Sequence, residues 1–332
     1  MEATPLPVGK VPADLLGRVL SRFGPLPAEV HLGPALGEDA CAIRVPAGLL
    51  VAATDPITLT AGDAARLAVI VNANDVAVMG VRPRWFLAAV LLPPGTTAAA
   101  VEELFGALDR ALVSVGACLV GGHTEVSTAV VRPVIVGQML GVAETGRVVA
   151  TGGARAGDVV VQVGPAPVEG SAVLAVEKAS ELRGLEPTTL AAAAHAASVP
   201  GISVVEAALI AAELGATSLH DPTEGGLASG LHELARSSSV ALFVDMGAVL
   251  WFPPGIAVCR ALGADPWATL ASGALLAAFA PDAAAHAVDV LTQRGHPAAV
   301  IGRAEPGRGV RATTGEVIPL PPRDEVARIL GA

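Results

Sequence analysis

The sequence contains no tyrosine, and aromatic residues make up only 3% of its 332 residues. Aromatic platforms that stack nucleic-acid bases are therefore not expected. Basic runs are also missing, and the formal net charge is −10. This balance argues against nucleic-acid binding, which depends on neutralising phosphates. An acidic protein that handles phosphates needs metal ions to bridge the like charges.

Cysteine is scarce as well. The three cysteines, Cys41, Cys118 and Cys259, lie far apart, and none belongs to a C-x-x-C pair. An odd number of widely spaced cysteines predicts neither a disulfide framework nor a thiolate metal site. We expect them to be small buried hydrophobic residues.

Long hydrophobic runs are missing, although 52% of the residues are hydrophobic. No uninterrupted apolar stretch reaches the roughly 18 residues that a membrane-spanning helix requires. The N-terminal stretch MEATPLPVGK has an early acid, two prolines and no apolar core, so a secretory signal is not expected. These features predict a cytoplasmic protein without a membrane span.

The sequence does contain two successive blocks of mixed strands and helices. The first block, Leu36–Val142, has the order strand, strand, helix, strand, helix, strand, strand, and the glycine-bearing segment Thr145–Gly157 is the best candidate for a hinge. A chain of 332 residues is long enough for two domains. We predict an α/β (α+β) fold with domains at 1–146 and 155–310 and a tail at 311–332.

The first block holds the elements that matter most for function. Hydrophobic periodicity and turn signals predict the following elements. They are strands at Leu49–Ile57 and Pro83–Leu92, helices at Asp63–Gly80 and Ala98–Val115, and a strand at Ala117–Val120 that leads into a glycine-rich loop. Thr96 or Thr97 is expected to cap the second helix.

Acidic residues recur at turns and on one helix of this block. Asp39 and Asp55 lie where predicted strands meet loops, which suits hard cations such as Mg²⁺. Asn74 and Asp75 interrupt an apolar helix, where a buried carboxylate is costly unless a cation or donor meets it. The alternative is that Asp39 and Asp55 are ordinary turn residues and that Asn74 and Asp75 cap a turn.

Two glycine pairs are candidate phosphate sites. Gly121 and Gly122 follow a strand and are followed by His123, Thr124 and Glu125, so that backbone N–H groups there can form an anion nest. Thr124 adds a hydroxyl donor, Glu125 a possible metal ligand, and His123 a candidate catalytic side chain. A glycine pair alone is a weak signal, because turns use glycine often.

The second pair, Gly225 and Gly226, opens a helix after Asp221, Thr223 and Glu224. A helix N-terminus with a glycine-rich entry and a hydroxyl is a natural phosphate site. The alternative is that Thr223 is only the N-cap of that helix. Lys10, beside the start of another predicted helix, is either solvated or able to reach a phosphate.

Five motifs in order resemble the aminoimidazole ribonucleotide (AIR) synthetase superfamily, over about residues 9–305. They are Glu38-Asp39-Ala40, Thr54-Asp55, Asn74-Asp75-Val76-Ala77 with Gly80 and Pro83, Gly121-Gly122-His123-Thr124, and Asp221-Pro222-Thr223-Glu224-Gly225-Gly226. Ordered motifs are far more specific than any one of them. Within the superfamily, TDPIT, NDVAVMGVRPRW, GGHTEV and HDPTEGG are similar to segments of the hydrogenase maturation factor HypE.

The resemblance implies a PurM-like fold. Its N-terminal α/β domain would pair with that of a second subunit to form a β-barrel in a homodimer, and a C-terminal α+β domain would follow. ATP would lie in a cleft between the domains, with Mg²⁺ bridging its phosphates. The chemistry shared by the superfamily is phosphoryl transfer, which in an acidic site requires Mg²⁺.

The residue patterns and the resemblance together predict roles for residues of this chain. The implied metal ligands are Asp39, Asp55, Asp75, Glu125 and Asp221. The implied nucleotide-binding residues are Lys10, Asn74, Gly121, Gly122, Thr124, Thr223, Glu224, Gly225 and Gly226. The implied catalytic residues are Asp75, His123 and Asp221.

The C-terminus departs from the HypE pattern, which ends in a Pro-Arg-x-Cys tail whose thiol carries the reacting group. Here Pro321-Pro322-Arg323 is present, but no cysteine follows Cys259. A thiocarboxamide on a terminal thiol is therefore not expected.

The sequence predicts an ATP- and Mg²⁺-dependent, HypE-like enzyme that activates an amide or carbonyl oxygen or phosphorylates a small acceptor. Two alternatives are a small-molecule kinase resembling thiamine-monophosphate kinase and a nucleotide-binding protein without turnover. The expected partners are a second copy of the chain, a small-molecule acceptor and a maturation protein.

Overall fold

A computed structural model describes residues 6, 9–10, 12–32, 42–45, 47–57 and 63–331 of the chain. The chain divides into two compact units. The first comprises residues 1–76 and 81–147, and the second comprises residues 77–80 and 148–332.

The first unit combines one five-stranded sheet, a small hairpin and three helices among its described residues. Its strands are β1 (Gly9–Lys10), β2 (Val30–Leu32), β3 (Ala42–Ile43), β4 (Leu49–Ile57), β5 (Trp85–Leu92), β6 (Cys118–Val126) and β7 (Val134–Ala143). Its helices are α1 (Ala13–Leu20), α2 (Ala64–Ala77) and α3 (Ala98–Val115). The sheet has the order β1-β6-β5-β7-β4, and β2 pairs with β3.

The two faces of this sheet differ in their surroundings. On β5, Phe86, Ala88 and Val90 are buried, whereas the alternate residues Leu87 and Leu91 are only half-buried. Successive strand residues point to opposite faces, so one face is packed and the other is partly open. We call them the helix face, which α2 covers, and the open face.

The open face is largely apolar. Cross-strand pairing places Leu87 beside Gln138, Ala89 beside Val136 and Leu91 beside Val134 on that side. Its half-buried apolar side chains are Leu87, Ala89, Leu91, Val134 and Val136.

The second unit is built around a six-stranded sheet. Its strands are β8 (Val159–Val163), β9 (Ser218–His220), β10 (Ala241–Val244), β11 (Leu275–Phe279), β12 (Ala298–Glu305) and β13 (Gly309–Ala312), in the order β13-β10-β12-β8-β11-β9. Its helices are α4 (Glu169–Glu177), α5 (Pro187–Ala194), α6 (Val205–Glu213), α7 (Gly226–Ser238), α8 (Pro253–Leu262), α9 (Pro281–Gln293) and α10 (Glu325–Leu330).

Two apolar clusters stabilise the second unit. Leu227, Leu231 and Leu234 of α7 pack in a core with Leu242 and Ile301 of the sheet. A separate cluster joins helices α4, α8 and α10. It includes Leu174, Val258 and Val326. The C-terminal helix is therefore part of the core of this unit.

No single helix among those that the structure describes is long and apolar enough to cross a bilayer. The bent pair Pro187–Ala194 and Ala197–Glu213 has the required length and apolar composition only when its two segments are taken together.

One sequence prediction within the first unit is wrong. The segment Gly121–Glu125, expected to be a loop, continues strand β6 and pairs in parallel with β5. The register shifts by one residue between Phe86 and Leu87, opposite the start of the glycine pair. Gly122 has φ 149° and lies so close to the Ala88 carbonyl that a Cβ atom would come within 2.1 Å of its oxygen. The glycines therefore permit close contact between β6 and β5. They belong to a strand and not to a loop.

Candidate functional site

Two aspartates from separate elements meet on the helix face of the first unit. Asp55 lies near the end of β4 and Asp75 near the end of α2. Burial, the negative charge of Asp55 and a hydrogen bond between the two side chains raise the pKa of the Asp75 carboxyl to about 7. A hydrogen bond between two carboxyl groups requires a proton on one of them. The pair is therefore a site where either a proton or a cation relieves the repulsion.

Asn72 fixes the backbone of Asp55 beside this pair. Its side-chain oxygen accepts a hydrogen bond from the Asp55 N–H at 2.8 Å. Its Nδ2 donates to the carbonyl oxygens of Ala68 at 2.8 Å and Asp55 at 3.4 Å. Because Asn72 is fully buried and uses both ends of its amide, it ties strand β4 to helix α2 one turn before Asp75.

Gly137 makes the space that Asn72 occupies. It is paired with Asp55 on one side and with Ala88 on the other. A Cβ atom at this position would lie 2.5 Å from the Asn72 Nδ2 and 2.8 Å from the Phe86 ring. The close packing of α2 on the sheet thus depends on a residue without a side chain.

Strand β6 presents its predicted residues on opposite faces. The register places Gly122, Ala88, Gly137 and Asp55 in one row across four strands. Thr124, which has the same parity as Gly122, is buried on the helix face. Asn74 of α2 is also almost fully buried. These residues share the side of the sheet on which Asp55 lies.

His123 and Glu125, by contrast, belong to the open face together with Gly121. The His123 Nε2 lies 3.3 Å from the Glu125 Oε2, and both side chains reach solvent. Because strand residues alternate between faces, Glu125 cannot join Asp55 in holding one ion within the same chain. Within one chain these two acids lie on opposite faces of the sheet, and the metal-ligand role of Glu125 stays a prediction.

The remaining predicted ligands of the first unit are not all visible. Asp39 lies outside the described residues, and for Lys10 the structure describes only the backbone, which pairs with Glu125. Among the residues that the structure does describe, no group of three or more His, Cys, Asp or Glu side chains could hold a metal. Of the predicted acidic ligands that the structure describes in this unit, it brings Asp55 and Asp75 together.

In the second unit, the segment Asp221–Gly226 forms a tight turn between β9 and α7. Asp221 is 7% exposed, and Gly225 and Gly226 both have left-handed backbones, with φ 77° and 65°. The Thr223 carbonyl accepts hydrogen bonds from the N–H groups of Gly226 at 3.0 Å and Ala271 at 3.2 Å. We call residues 221–226 the glycine turn.

The N-cap of helix α7 is not Thr223, which the sequence offered as the alternative to a phosphate site. Gly225 is the N-cap residue, and it has no side chain with which to cap the helix. Instead, the Gly225 N–H donates to the Oδ2 of Asp324 at 2.7 Å. A phosphate that used this N–H would have to replace that carboxylate.

Asp324 and Asn72 are the two residues that sequence reasoning missed. Burial raises the pKa of the Asp324 carboxyl, and the N–H groups of Gly225 and Val326 act in the opposite direction. Asp324 lies in the predicted tail, 311–332, and its separation of 99 residues from Gly225 gave no local signal. Asn72, two residues before Asn74, had a stronger signal, because an amide inside an apolar helix requires partners.

Comparisons with known proteins agree with this architecture. Residues 37–143 match the family model described as AIR synthase related protein, N-terminal domain, and residues 155–315 match that of its C-terminal domain. The carbamoyl dehydratase HypE of Rhodobacter capsulatus is 31% identical over 89% of this chain and 86% of its own length.

Two further proteins are similar over most of the chain. The thiamine-monophosphate kinase of Mycobacterium tuberculosis (strain CDC 1551 / Oshkosh) is 30% identical, over 76% of this chain and 76% of its own. A crystal structure of hydrogenase maturation protein HypE in complex with ATP superposes with a TM-score of 0.73 and 26% identity, covering 88% of this chain and 90% of that one.

These matches confirm the predicted two-domain PurM-like fold class, the similarity to HypE and the prediction of an enzyme. The dimeric barrel stays a prediction, as do the individual site residues. Because the two family models together cover most of the sequence, the chain belongs to the AIR synthase related family.

Proposed function

We propose that this chain is a HypE-like enzyme that uses Mg²⁺ and ATP to transfer a phosphoryl group to the oxygen of an amide or carbonyl acceptor. The observation that carries the proposal is the pair Asp55 and Asp75, two carboxyl groups that are hydrogen-bonded to each other on the helix face of the sheet. The similar HypE structure that was solved with ATP supports a nucleotide as the ligand.

The residues of the pair suit Mg²⁺. This cation prefers oxygen ligands and is commonly held by one or two carboxylates, with phosphate oxygens and waters filling its other positions. Two adjacent carboxylates that retain a proton near neutral pH are a place where a divalent cation is favoured over that proton. Bound there, Mg²⁺ would neutralise charge on the phosphates of ATP.

The chain's own residues would hold and orient the reactants. Asp55 and Asp75 supply the negative charge, and Asn72 fixes Asp55 through its backbone. Asn74, Gly122 and Thr124 are candidate nucleotide contacts of the first unit. In the second unit, the candidates are Asp221, Thr223, Glu224, Gly225 and Gly226. His123 and Glu125, on the open face, would act at this site only through a second copy of the chain.

The acceptor follows from the chemistry that the relatives' names describe. A carbamoyl dehydratase, as the Rhodobacter relative is named, removes the elements of water from a primary amide. We propose the same class of acceptor here. The amide oxygen attacks the γ-phosphorus of ATP, ADP leaves, and loss of phosphate and protons from the activated amide gives a nitrile.

Calorimetric titration of the protein with ATP in the presence and absence of Mg²⁺ tests the site. We expect saturable binding that EDTA abolishes, and an Asp75→Asn variant should lose most of the metal-dependent affinity. The exposed Glu103 of α3 provides a control, because Glu103→Gln removes one negative charge from the same unit. No saturable binding by the wild-type protein, or equal binding by Asp75→Asn, would refute the proposal.

A second candidate function is a small-molecule kinase, which the similarity to thiamine-monophosphate kinase favours. Direct phosphorylation of a phosphate group and activation of an amide use the same Mg²⁺ and ATP, so binding does not separate them. The product does. Release of thiamine diphosphate from thiamine monophosphate would identify the kinase, whereas ADP formation that depends on a primary amide would identify the first function.

A further inference from the structure

The C-terminal segment of the chain reaches the glycine turn through one carboxylate. We infer that Asp324 is a positioning residue, which holds the turn 221–226 in the conformation that the proposed nucleotide site requires. This inference rests on the proposed function. The observation that carries it is the 2.7 Å hydrogen bond from the Gly225 N–H to the Asp324 Oδ2.

The turn has an external partner at the helix N-terminus, where the N-cap residue, Gly225, has no side chain. Helix α7 begins after Gly225, and the first N–H groups of any helix lack partners within the helix. An Asp or Ser at the N-cap normally supplies an oxygen. Here glycine occupies that position and has no side chain for this role, but the N–H of Gly225 itself, one of the first helix N–H groups, donates to Asp324.

Glycine cannot be exchanged here for a residue that would cap the helix. A Cβ atom on Gly225 would lie 2.1 Å from the Ser229 Oγ, and one on Gly226 would lie 2.6 Å from the Trp267 carbonyl oxygen. Both residues also have the left-handed backbone that favours glycine. The turn therefore requires glycine at these positions, and the hydrogen-bond acceptor for the Gly225 N–H comes from the distant Asp324.

Asp324 itself is firmly placed. It is 8% exposed, and its second oxygen, Oδ1, accepts a hydrogen bond from the Val326 N–H at 2.7 Å as the N-cap of α10. Val326 is buried in the cluster that joins α4, α8 and α10. Arg328 donates to the Gly263 carbonyl oxygen at 2.9 Å, which fixes the other end of the helix. One carboxylate thus accepts hydrogen bonds at the N-termini of two helices and connects the glycine turn to the core of the unit.

The consequence for ligand binding has a definite sign. If Asp324 positions the turn, its removal disorders Asp221, Thr223 and Glu224 and weakens nucleotide binding. If Asp324 instead competes with a phosphate for the Gly225 N–H, its removal tightens binding. Loss of a negative charge near a polyanionic ligand also favours tighter binding. Weaker binding by a variant without Asp324 is therefore expected only from the positioning role.

Two variants and one control test the inference. Asp324→Ala removes both hydrogen bonds, whereas Asp324→Asn keeps one acceptor oxygen and should retain part of the function. Asp245→Asn is the control, because the exposed Asp245 accepts from the Gly247 N–H at 2.9 Å in the same kind of contact, away from the glycine turn. Melting temperatures identify any variant that fails to fold.

The first measurement is amide hydrogen exchange without nucleotide, followed on peptides that cover residues 221–231. Asp324→Ala should exchange faster there than the wild-type protein, Asp324→Asn should be intermediate, and Asp245→Asn should be unchanged. Unchanged exchange in Asp324→Ala would overturn the inference, whether or not the protein binds ATP.

The second measurement is calorimetric titration with ATP and Mg²⁺. We expect about tenfold weaker binding by Asp324→Ala, the effect of losing one hydrogen bond to a charged group, and a smaller loss by Asp324→Asn. Unchanged or tighter binding by Asp324→Ala would overturn the positioning role. A wild-type protein that does not bind ATP would refute the proposed function alone, because the exchange experiment still tests the turn.

Discussion

At the scale of single residues, the proton shared by Asp55 and Asp75 links stability to ligand binding. An isolated carboxylate ionises near pH 4, but burial and the neighbouring charge raise the pKa of Asp75 to about 7. At neutral pH, the Asp75 carboxyl of the folded protein must therefore either keep a proton or carry a buried negative charge beside Asp55. In the unfolded chain, the same carboxylate is hydrated and has neither cost. A buried pair of carboxylates is less stable without a bound cation than with one. Such destabilised pairs are common at the metal-binding sites of proteins.

This pair gives the stability a predictable dependence on pH. Between about pH 4 and pH 7, folded Asp75 keeps a proton that the unfolded chain has lost, so the free energy of unfolding falls as the pH rises through this window. Each pKa unit corresponds to about 1.4 kcal/mol, so the total cost at pH 8 is expected to be a few kcal/mol. Asp75→Asn should remove that cost and be more stable than the wild-type protein at pH 8.

Urea unfolding at pH 5 to 8 in EDTA measures this effect. Other groups titrate in the same range, so the difference between the wild-type protein and Asp75→Asn is the relevant quantity. That difference should grow as the pH rises towards 7 and then level off. Addition of Mg²⁺ at pH 8 should stabilise only the wild-type protein. A difference that does not vary with pH would show that Asp75 has an ordinary pKa.

At the scale of elements, the packing of α2 against the sheet determines the geometry of the pair. Helix α2 carries Asp75, and strand β4 carries Asp55, so the two carboxyl groups meet only if the helix lies close to the sheet. Asn72 makes that contact through hydrogen bonds, and Gly137 makes room for it. A change of a few tenths of an ångström in the helix position would alter the distance between the carboxyl groups.

Gly137→Ala should disturb this packing. The added methyl group would lie 2.5 Å from the Asn72 Nδ2 and 2.8 Å from the Phe86 ring, so we expect a destabilisation of about 1–3 kcal/mol, as for other overpacked cores. Gly24→Ala is the matched control, because a Cβ atom there has no heavy atom within 4 Å. Urea unfolding measures both variants, and equal stability of the two would contradict the packing.

The sequence was sufficient for some of these elements and not for others. The bounds of β4 and α3 agree with the predicted Leu49–Ile57 and Ala98–Val115, and Thr97 caps α3 as expected, because local periodicity and capping determine them. Strand β6 was predicted to end at Val120, since a glycine pair usually marks a turn. Its extension to Val126 depends on pairing with β5, which no local pattern reveals.

The candidate site likewise has features that local sequence predicts and features that depend on tertiary contacts. A buried Asp on an apolar helix already indicated that Asp75 needs a partner, but Asp55 lies twenty positions earlier on another element. Only the order of motifs in the related family linked them before the structure. The contact between Asp324 and Gly225 had no counterpart in the motifs, because it joins segments that are distant in sequence.

At the scale of the whole molecule, the half-buried apolar side chains on the open face of the first unit are the basis for predicting a homodimer. Leu91, Val134 and Val136 are half-buried there without being covered by a described helix, whereas Leu87 packs against the buried cluster of Trp85, Val120 and Val142. Extended apolar faces of this kind are usually protein interfaces. A second copy of the chain is the expected partner, because a two-fold axis buries the same face on both subunits.

A charge placed in the open face should therefore separate the subunits. We expect the wild-type protein to sediment as a dimer at micromolar concentration and Val136→Glu as a monomer, because two buried carboxylates would face each other across the interface. Val131→Glu is the control, since Val131 is 90% exposed in the loop between β6 and β7, and it should remain dimeric. If the Val136→Glu monomer also loses affinity for ATP and Mg²⁺, the second subunit contributes to the nucleotide site. A wild-type protein that sediments only as a monomer would refute the dimer.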